Sequence, residues 1–144
     1  YLVYGGAVFM PLTTNYLQLW GRNWSRKAPF RLMQYAFERA WPSPERQEVV
    51  ILHRVLADDI NQGYERLGRE IVRSVDGEEV RDLRHFATLL DEGENPYCEI
   101  SFEDGSALLL ERAAVAEADL RIQRRYRIPA LRSEGLLDES TSMP

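Results

Sequence analysis

Several residue types that carry chemistry are scarce in this chain of 144 residues. Cys98 is the only cysteine, Lys27 is the only lysine, and there are two histidines. A single thiol can form no intrachain disulfide and no thiolate metal cluster, and Cys98 lies in a predicted strand, where we expect a small buried apolar residue. No apolar run approaches the roughly 18 residues that a spanning helix requires, so we predict no membrane span.

Motifs for catalysis and metal binding are also missing. No serine lies in a Gly-x-Ser-x-Gly or a Gly-Asp/Asn-Ser-Gly pattern, which excludes the usual nucleophile turns of serine hydrolases. His53 falls in a buried-strand pattern and His85 in a helix, and neither is grouped with a nucleophile. An enzyme that uses one of them with nearby acids is the weaker alternative. We therefore expect no catalytic residue, no metal ligand and no cofactor.

The charge balance bears on possible partners. The net charge is −5, whereas proteins that bind phosphate backbones usually carry a basic surface, so we expect no nucleic-acid partner. A local exception near the C-terminus consists of Arg121, Arg124, Arg125, Arg127 and Arg132. A solvated helical face explains these arginines, and an acidic partner is the alternative.

The pattern along the chain predicts a small antiparallel sheet with covering helices. Hydrophobic periodicity and turn residues separate the segments. Strands are predicted over 1–12, 48–57, 69–75, 97–103 and 106–112, with a short extended piece from Val80. Helices are predicted over 13–20, from Pro29 to Trp41 (with Phe30, Met33 and Phe37 on one face), from Asp82 to Asp91 and over 113–126. Residues 21–27 are predicted as a polar loop, and 13–46 as a helical insertion between two strands.

The pair Gly5-Gly6 inside the first extended stretch is the one feature that suggests a binding site. Glycines there indicate a bend or a place where another backbone comes close. A glycine loop followed by a strand can accept the terminal carboxylate of a peptide on its N–H groups, while the strand edge pairs with the peptide main chain. A tight packing bend would give the same pattern, so both interpretations stay open.

Four stretches together resemble the second PDZ domain of Deg/HtrA-type (protease Do-like) serine proteases, particularly the plant-type branch. In chain order they are 5–13 (GGAVFMPLT), 55–65 (VLADDINQGYE), 71–83 (IVRSVDGEEVRDL) and 128–133 (IPALRS). No single motif is diagnostic, but the ordered set spans about residues 1–138.

The resemblance implies a mixed α/β (α+β) fold of the PDZ type, a small antiparallel barrel or sandwich with covering helices. We expect the PDZ-like domain over 1–132, including the insertion at 13–46, and a flexible tail over 133–144. The start of the chain has no initiator Met, which is typical of the interior of a longer polypeptide. The implied parent carries an N-terminal trypsin-like protease domain and a first PDZ domain, and none of its catalytic residues matches a position here.

The resemblance also implies where a peptide binds. The carboxylate-binding loop and the strand after it match Gly5, Gly6, Ala7, Val8 and Phe9, and the groove-lining helix offers His85, Phe86 and Leu89. The expected role is non-catalytic binding of polypeptide segments or C-termini by strand addition, for substrate capture, assembly of a homo-oligomer or both. The alternative is a purely structural assembly domain whose groove holds its own or a neighbouring chain. If the source is bacterial, the family implies a periplasmic or envelope location.

Overall fold

The computed structural model describes residues 1–29, 32, 48–133 and 136. Apart from Pro29 and Leu32, the predicted helix from Pro29 to Trp41 lies outside these residues, and so do the later part of the insertion and most of the tail over 133–144.

Seven strands and four α-helices make up the described residues. In order they are β1 (Leu2–Tyr4), β2 (Ala7–Pro11), α1 (Thr14–Leu17), α2 (Trp24–Lys27), β3 (Val50–Val55), β4 (Gly68–Val75), β5 (Glu78–Glu79), α3 (Leu83–Glu92), β6 (Tyr97–Phe102), β7 (Ala107–Glu111) and α4 (Arg112–Arg125). Single 3-10 turns cover Gln18–Trp20 and Asp59–Asn61.

All neighbouring strands are antiparallel, in the order β1-β2-β3-β4-β6-β7, and β5 pairs with the end of β4. The sheet curls around one main core, into which α3 buries Leu83, Phe86, Ala87 and Leu90. These four positions recur at helical spacing, which gives α3 a single apolar face. The predicted mixed α/β class, a small antiparallel barrel or sandwich with covering helices, is thus confirmed, and the sheet has the form of a curled half-barrel.

Two smaller clusters flank the main core. One joins α1 to β3 and β4, and Tyr16, Leu17, Ile51 and Ile71 are buried in it. The other places α4 against β1 and buries Val3, Leu56, Ala118 and Ile122. The second cluster matters for the site because it fixes α4 beside the Gly5-Gly6 segment.

The short turns account for most element boundaries. The Asp76-Gly77 turn has positive φ at both residues, and Val75 pairs directly with Glu78. Two-residue hairpin turns of this kind match the twist of the strands that they join. Strand β5 therefore starts at Glu78, two residues before the extended piece that the sequence predicts from Val80.

One local prediction is wrong. Residues 21–27 were expected to form a polar loop, but Trp24–Lys27 is a helical turn. The N–H groups of Arg26 and Lys27 donate to the carbonyl of Asn23, and the N–H of Ala28 donates to that of Trp24. Polar composition did not reveal this turn because a single helical turn buries too little apolar surface to create a periodic pattern.

Candidate polypeptide-binding groove

The Gly5-Gly6 pair forms the turn of a tight hairpin. Tyr4 pairs directly with Ala7, so these two glycines are the whole connection between β1 and β2, and their φ angles are +58° and +87°. Only glycine adopts such angles readily at both positions. A Cβ atom on Gly6 would also overlap the Leu56 carbonyl and the Asn61 side chain. The segment is thus a turn and a close approach of backbones at once.

Polar groups of the hairpin turn are bound by other parts of the fold. The N–H of Gly5 donates to Oδ1 of Asp119 on α4 over 2.8 Å. The Gly5 carbonyl accepts from Nδ2 of Asn61 (2.9 Å), and the Gly6 carbonyl accepts from the N–H of Leu56 (2.7 Å). Both glycines and both polar side chains are buried. The Gly5-Gly6 turn is therefore buried, and its Gly5 N–H is already hydrogen-bonded within the fold.

Strand β2, which contains Ala7, Val8 and Phe9, is paired on both sides. Ala7 lies opposite Tyr4 of β1 and Val55 of β3, and the same double pairing extends through Phe9. Strand addition requires a free strand edge. In this structure β1 covers the edge of β2 that a peptide would use.

The outer edge of β1 is covered in turn by the C-terminal segment 130–133. The N–H of Val3 donates to the Leu131 carbonyl (2.7 Å), and the N–H of Ser133 donates to the Tyr1 carbonyl (3.0 Å). Arg132 lies between these bonds, and its guanidinium makes a two-pronged bond of 2.5 and 2.8 Å to Asp91 on α3. Planar paired contacts of this kind fix orientation as well as distance. The C-terminal segment thus joins β1 to α3.

Of the three residues predicted on the groove-lining helix, Phe86 packs directly on β2. Its ring packs on that of Phe9 with centroids 4.6 Å apart. His85 accepts a bond from the Arg81 N–H at Nδ1 (3.1 Å), and its Nε2 lies 3.7 Å from Glu78 on β5. Leu89 lines a separate cavity that contains Glu78. The structure therefore places His85 and Leu89 near Glu78 of β5, although Leu89 also packs against the main core that contains Phe9 and Phe86. Val8 of the hairpin packs instead against the cluster formed with α4.

A cavity of about 340 Å³ lies beside β1, with Val3, Tyr4 and Asp119 in its wall. Burial raises the pKa of the Asp119 carboxyl to about 6, against the opposing effects of the Gly5 bond and the charge of Arg132. Arg112 also lines the cavity, but its guanidinium binds Asp76 and the Leu90 carbonyl. The two guanidinium groups of the cavity wall, Arg112 and Arg132, are therefore both engaged with acids of the same domain.

Side chains with catalytic potential are in structural contacts. His53 Nδ1 lies 2.9 Å from the hydroxyl of Tyr16, and burial is the main cause that lowers the His53 pKa. Cys98 is fully buried, which raises the pKa of its thiol to about 11 and keeps it protonated. Nowhere among the described residues do three or more His, Cys, Asp or Glu side chains group as a metal site would require. Within the same ranges, every helix is too short or too polar to traverse a bilayer.

Sequence reasoning missed the residues that hold the turn, which are Asn61 and Asp119, and the role of Arg132 in joining the C-terminal segment to α3. Asp119 had a recognisable signal, because it interrupts the apolar face formed by Val115, Ala118 and Ile122 on α4. A carboxylate on the buried face of a helix requires a partner. Nothing in the sequence identified that partner as the Gly5 amide.

The curled antiparallel sheet, α3 and the glycine turn before β2 define a PDZ-type domain, and comparison with known families agrees. The family model described as "PDZ domain" matches residues 1–135, and the chain belongs to this family.

Its relatives include proteins of Arabidopsis thaliana. The chain is 32% identical to "Protease Do-like 2, chloroplastic" over 143 residues, which is 96% of this chain and 22% of that protein. It is 30% identical to "Putative protease Do-like 11, mitochondrial" over 136 residues, which is 94% and 20%. The chain therefore spans about a fifth of the length of these relatives, and the PDZ model accounts for residues 1–135 of it. The predicted resemblance to the PDZ domain of Do-like proteases is confirmed.

Proposed function

We propose that this PDZ domain is a non-catalytic polypeptide-interaction module of a Do-like serine endopeptidase. In that parent it works beside a protease domain and a first PDZ domain, and it serves oligomer assembly, substrate capture or both. The partner is an extended polypeptide segment that pairs with β2. What supports this mode is β1 itself, an extended segment that already runs antiparallel along β2.

The side chains of β1 indicate which polypeptide the edge of β2 can accept. Leu2 and Tyr4 are buried in the same cluster as Phe9 and Phe86, while Val3 packs on the opposite side with Ala118. A partner segment therefore needs large apolar side chains at alternate positions, as every second residue of a strand faces the same side. Its backbone supplies the hydrogen bonds and its side chains the selectivity.

A polypeptide from outside reaches β2 only when β1 leaves. That exchange replaces one set of backbone hydrogen bonds with an equivalent set, so the balance depends on the side chains and on the ordering of the incoming segment. A segment held at high effective concentration by a neighbouring subunit has an advantage over a free peptide. This consideration favours an assembly role over the capture of dilute substrate.

A second candidate is a purely structural assembly domain in which β1 never leaves. The observation that favours it is the pairing of the C-terminal segment with β1 through Val3 and Ser133, together with the Arg132–Asp91 ion pair. Contacts with neighbouring subunits would then use other surfaces. The insertion offers Leu19, which is 67% exposed, and Trp20, whose ring lies under the Arg69 guanidinium.

Amide hydrogen exchange separates the two candidates. The chain is measured alone and with saturating extended peptides, both internal and C-terminal. If a peptide replaces β1, the amides of Leu2–Tyr4 lose protection while those of Ala7–Met10 keep it, because β2 stays paired. Unchanged protection in β1 with every peptide would contradict exchange at β2 and leave the structural candidate.

Light scattering on the same samples tests assembly. A monomer that binds peptides supports capture, and a stable oligomer that ignores them supports the assembly role. In the full-length parent, Trp20→Ala with Trp24→Ala should lower the oligomer mass if the insertion forms a subunit contact. An unchanged mass would exclude these two residues from that contact.

A further inference from the structure

Asp119 accepts the hydrogen bond of the Gly5 N–H. The terminal carboxylate of a PDZ ligand would be expected to accept a hydrogen bond from the same N–H. We infer that Asp119 is a specificity-determining residue that bars free C-termini of polypeptides from the Gly5-Gly6 turn, so that the domain accepts internal polypeptide segments. The inference rests on the proposed strand addition at β2 and names the class of polypeptide that this site takes.

The first support is the use of the donor. A terminal carboxylate binds at a glycine turn through backbone N–H groups that point at it. Here the Gly5 N–H donates to Oδ1 of Asp119 over 2.8 Å, in buried surroundings. One N–H makes one strong hydrogen bond, so a ligand carboxylate would have to displace a carboxylate that the fold holds in place.

The second support is charge. Asp119 is 9% exposed and carries a negative charge at pH 8, above its raised pKa of about 6. Two carboxylates that share a poorly solvated site strongly disfavour each other's ionised form. The charges that could offset this repulsion are already engaged, because Arg132 binds Asp91 and Arg112 binds Asp76. A terminal carboxylate would therefore bring an unpaired charge into the site.

The third support is the fit of an uncharged backbone. β1 passes through this place as a continuing peptide, and its Tyr4 is followed by Gly5 without a terminus. The adjoining cavity, about 340 Å³ with β1 in place, also has Leu90 and Val115 in its wall, and these two side chains stay when a partner segment replaces β1. An internal segment meets the apolar wall and Asp119 without adding a negative charge.

The test compares one peptide in two forms. A fluorescein-labelled peptide that ends in the sequence of residues 1–4 is prepared as the free acid and as the C-terminal amide, and both are titrated into the protein at pH 8. The amide removes only the terminal charge. We expect the protein to bind the amide at least about tenfold tighter than the acid, since like charges brought together in a binding site are strongly disfavoured.

Two variants assign the preference to its cause. Asp119→Asn keeps an acceptor oxygen for the Gly5 N–H and removes the charge, so the amide-to-acid ratio should fall to about one. Glu117→Gln removes an exposed charge two residues away on the same helix and should keep the ratio of the unchanged protein. Far-ultraviolet circular dichroism confirms that each variant is folded.

Each other outcome is decisive. Equal binding of the two forms, or tighter binding of the acid, by the unchanged protein would overturn the inference and leave strand addition standing. An amide preference that survives in Asp119→Asn would assign the selectivity to another group and overturn the role of Asp119. Binding of neither form to any of the three proteins would overturn the exchange at β2, and the inference with it.

Discussion

The N–H of Gly5 and Oδ1 of Asp119 lie 2.8 Å apart although the two residues are 114 positions apart in the sequence. This bond joins the β1–β2 turn to α4, which follows the last strand of the sheet. Both groups are buried. The bond therefore connects helix α4 to the turn beside the strand edge at which we propose that a polypeptide binds. Several measurable consequences follow from it and from the contacts around it.

The charge of Asp119 should lower stability at neutral pH. Its pKa is raised from 3.8 to about 6, chiefly by burial, so the folded protein binds this proton more tightly than the unfolded protein. The contribution to folding is then fully present below pH 3.8 and is lost as the pH rises through 6. We expect Asp119→Asn to raise the free energy of unfolding at pH 8 by about 1–3 kcal/mol, with no difference near pH 3. Urea unfolding across this range measures the difference.

Asp58 provides a comparison of opposite sign. The side-chain bond from Arg121 is the main cause that lowers its pKa, and the two groups are 2.8 Å apart. This carboxylate stabilises the fold above pH 3.8, and the contribution is lost as the pH falls below that value. Asp58→Asn should therefore lower the stability at pH 8, and the loss should shrink under acid. Equal pH profiles for the Asp58 and Asp119 variants would refute both assignments.

Neighbouring atoms lie so close to Gly6 that it should tolerate substitution far less well than Gly77. Both have φ of +87°, but a Cβ at Gly6 meets the Leu56 carbonyl and Asn61, whereas nothing lies within 4 Å of one at Gly77. The left-handed angle alone costs an alanine about 1–2 kcal/mol. Gly77→Ala should lower the free energy of unfolding by that amount. Gly6→Ala should lower it by at least about 1–3 kcal/mol more, because the backbone must move to make room for the Cβ atom. Thermal and urea unfolding compare the two, and equal losses would rule out the crowding.

Asn61 should be the most sensitive polar residue near the turn. Its Nδ2 donates to the carbonyls of Gly5 (2.9 Å) and Leu56 (2.8 Å), and its Oδ1 accepts from the N–H of Asp58 (3.0 Å). Asn61→Ala leaves buried backbone groups without partners and should cost about 2–4 kcal/mol. The exposed neighbour Gln62 is the control, and Gln62→Ala should change stability by no more than about 0.5 kcal/mol. A similar small loss at Asn61 would contradict its role.

Release of the C-terminal segment should loosen β1 without unfolding the domain. Arg132→Ala removes the ion pair to Asp91, a partly exposed contact whose loss should cost no more than about 1 kcal/mol. The amides of Val3 and Ser133, which bond across the two segments, should nevertheless exchange faster. Asp91→Ala should have the same effect, and the double variant should add little to either. Unchanged exchange at Val3 would show that the segment holds without the ion pair.

Local patterns in the sequence determined most of the fold. The Asp82 cap and the apolar spacing of Leu83, Phe86 and Leu90 determined α3, and the turns at Asp76-Gly77 and Asp104-Gly105 determined two hairpins. These signals are short-range, because helix capping, turn angles and side-chain periodicity depend on residues only a few positions apart. They could also place Gly5-Gly6 in a bend and mark the stretch after it as a strand.

The tertiary structure alone decided how that bend is used. Whether β2 has a free edge depends on β1 and on the C-terminal segment 130–133, and whether the Gly5 N–H is available depends on Asp119 of α4. These parts come together only in the folded protein. Packing also decided where the predicted residues of α3 lie. His85 and Leu89 lie near Glu78 of β5, while the ring of Phe86 packs on that of Phe9. A sequence specifies which groups can donate and accept hydrogen bonds. The partner of each buried group is fixed by packing, because desolvated polar groups must pair with whatever distant segment the fold brings within reach.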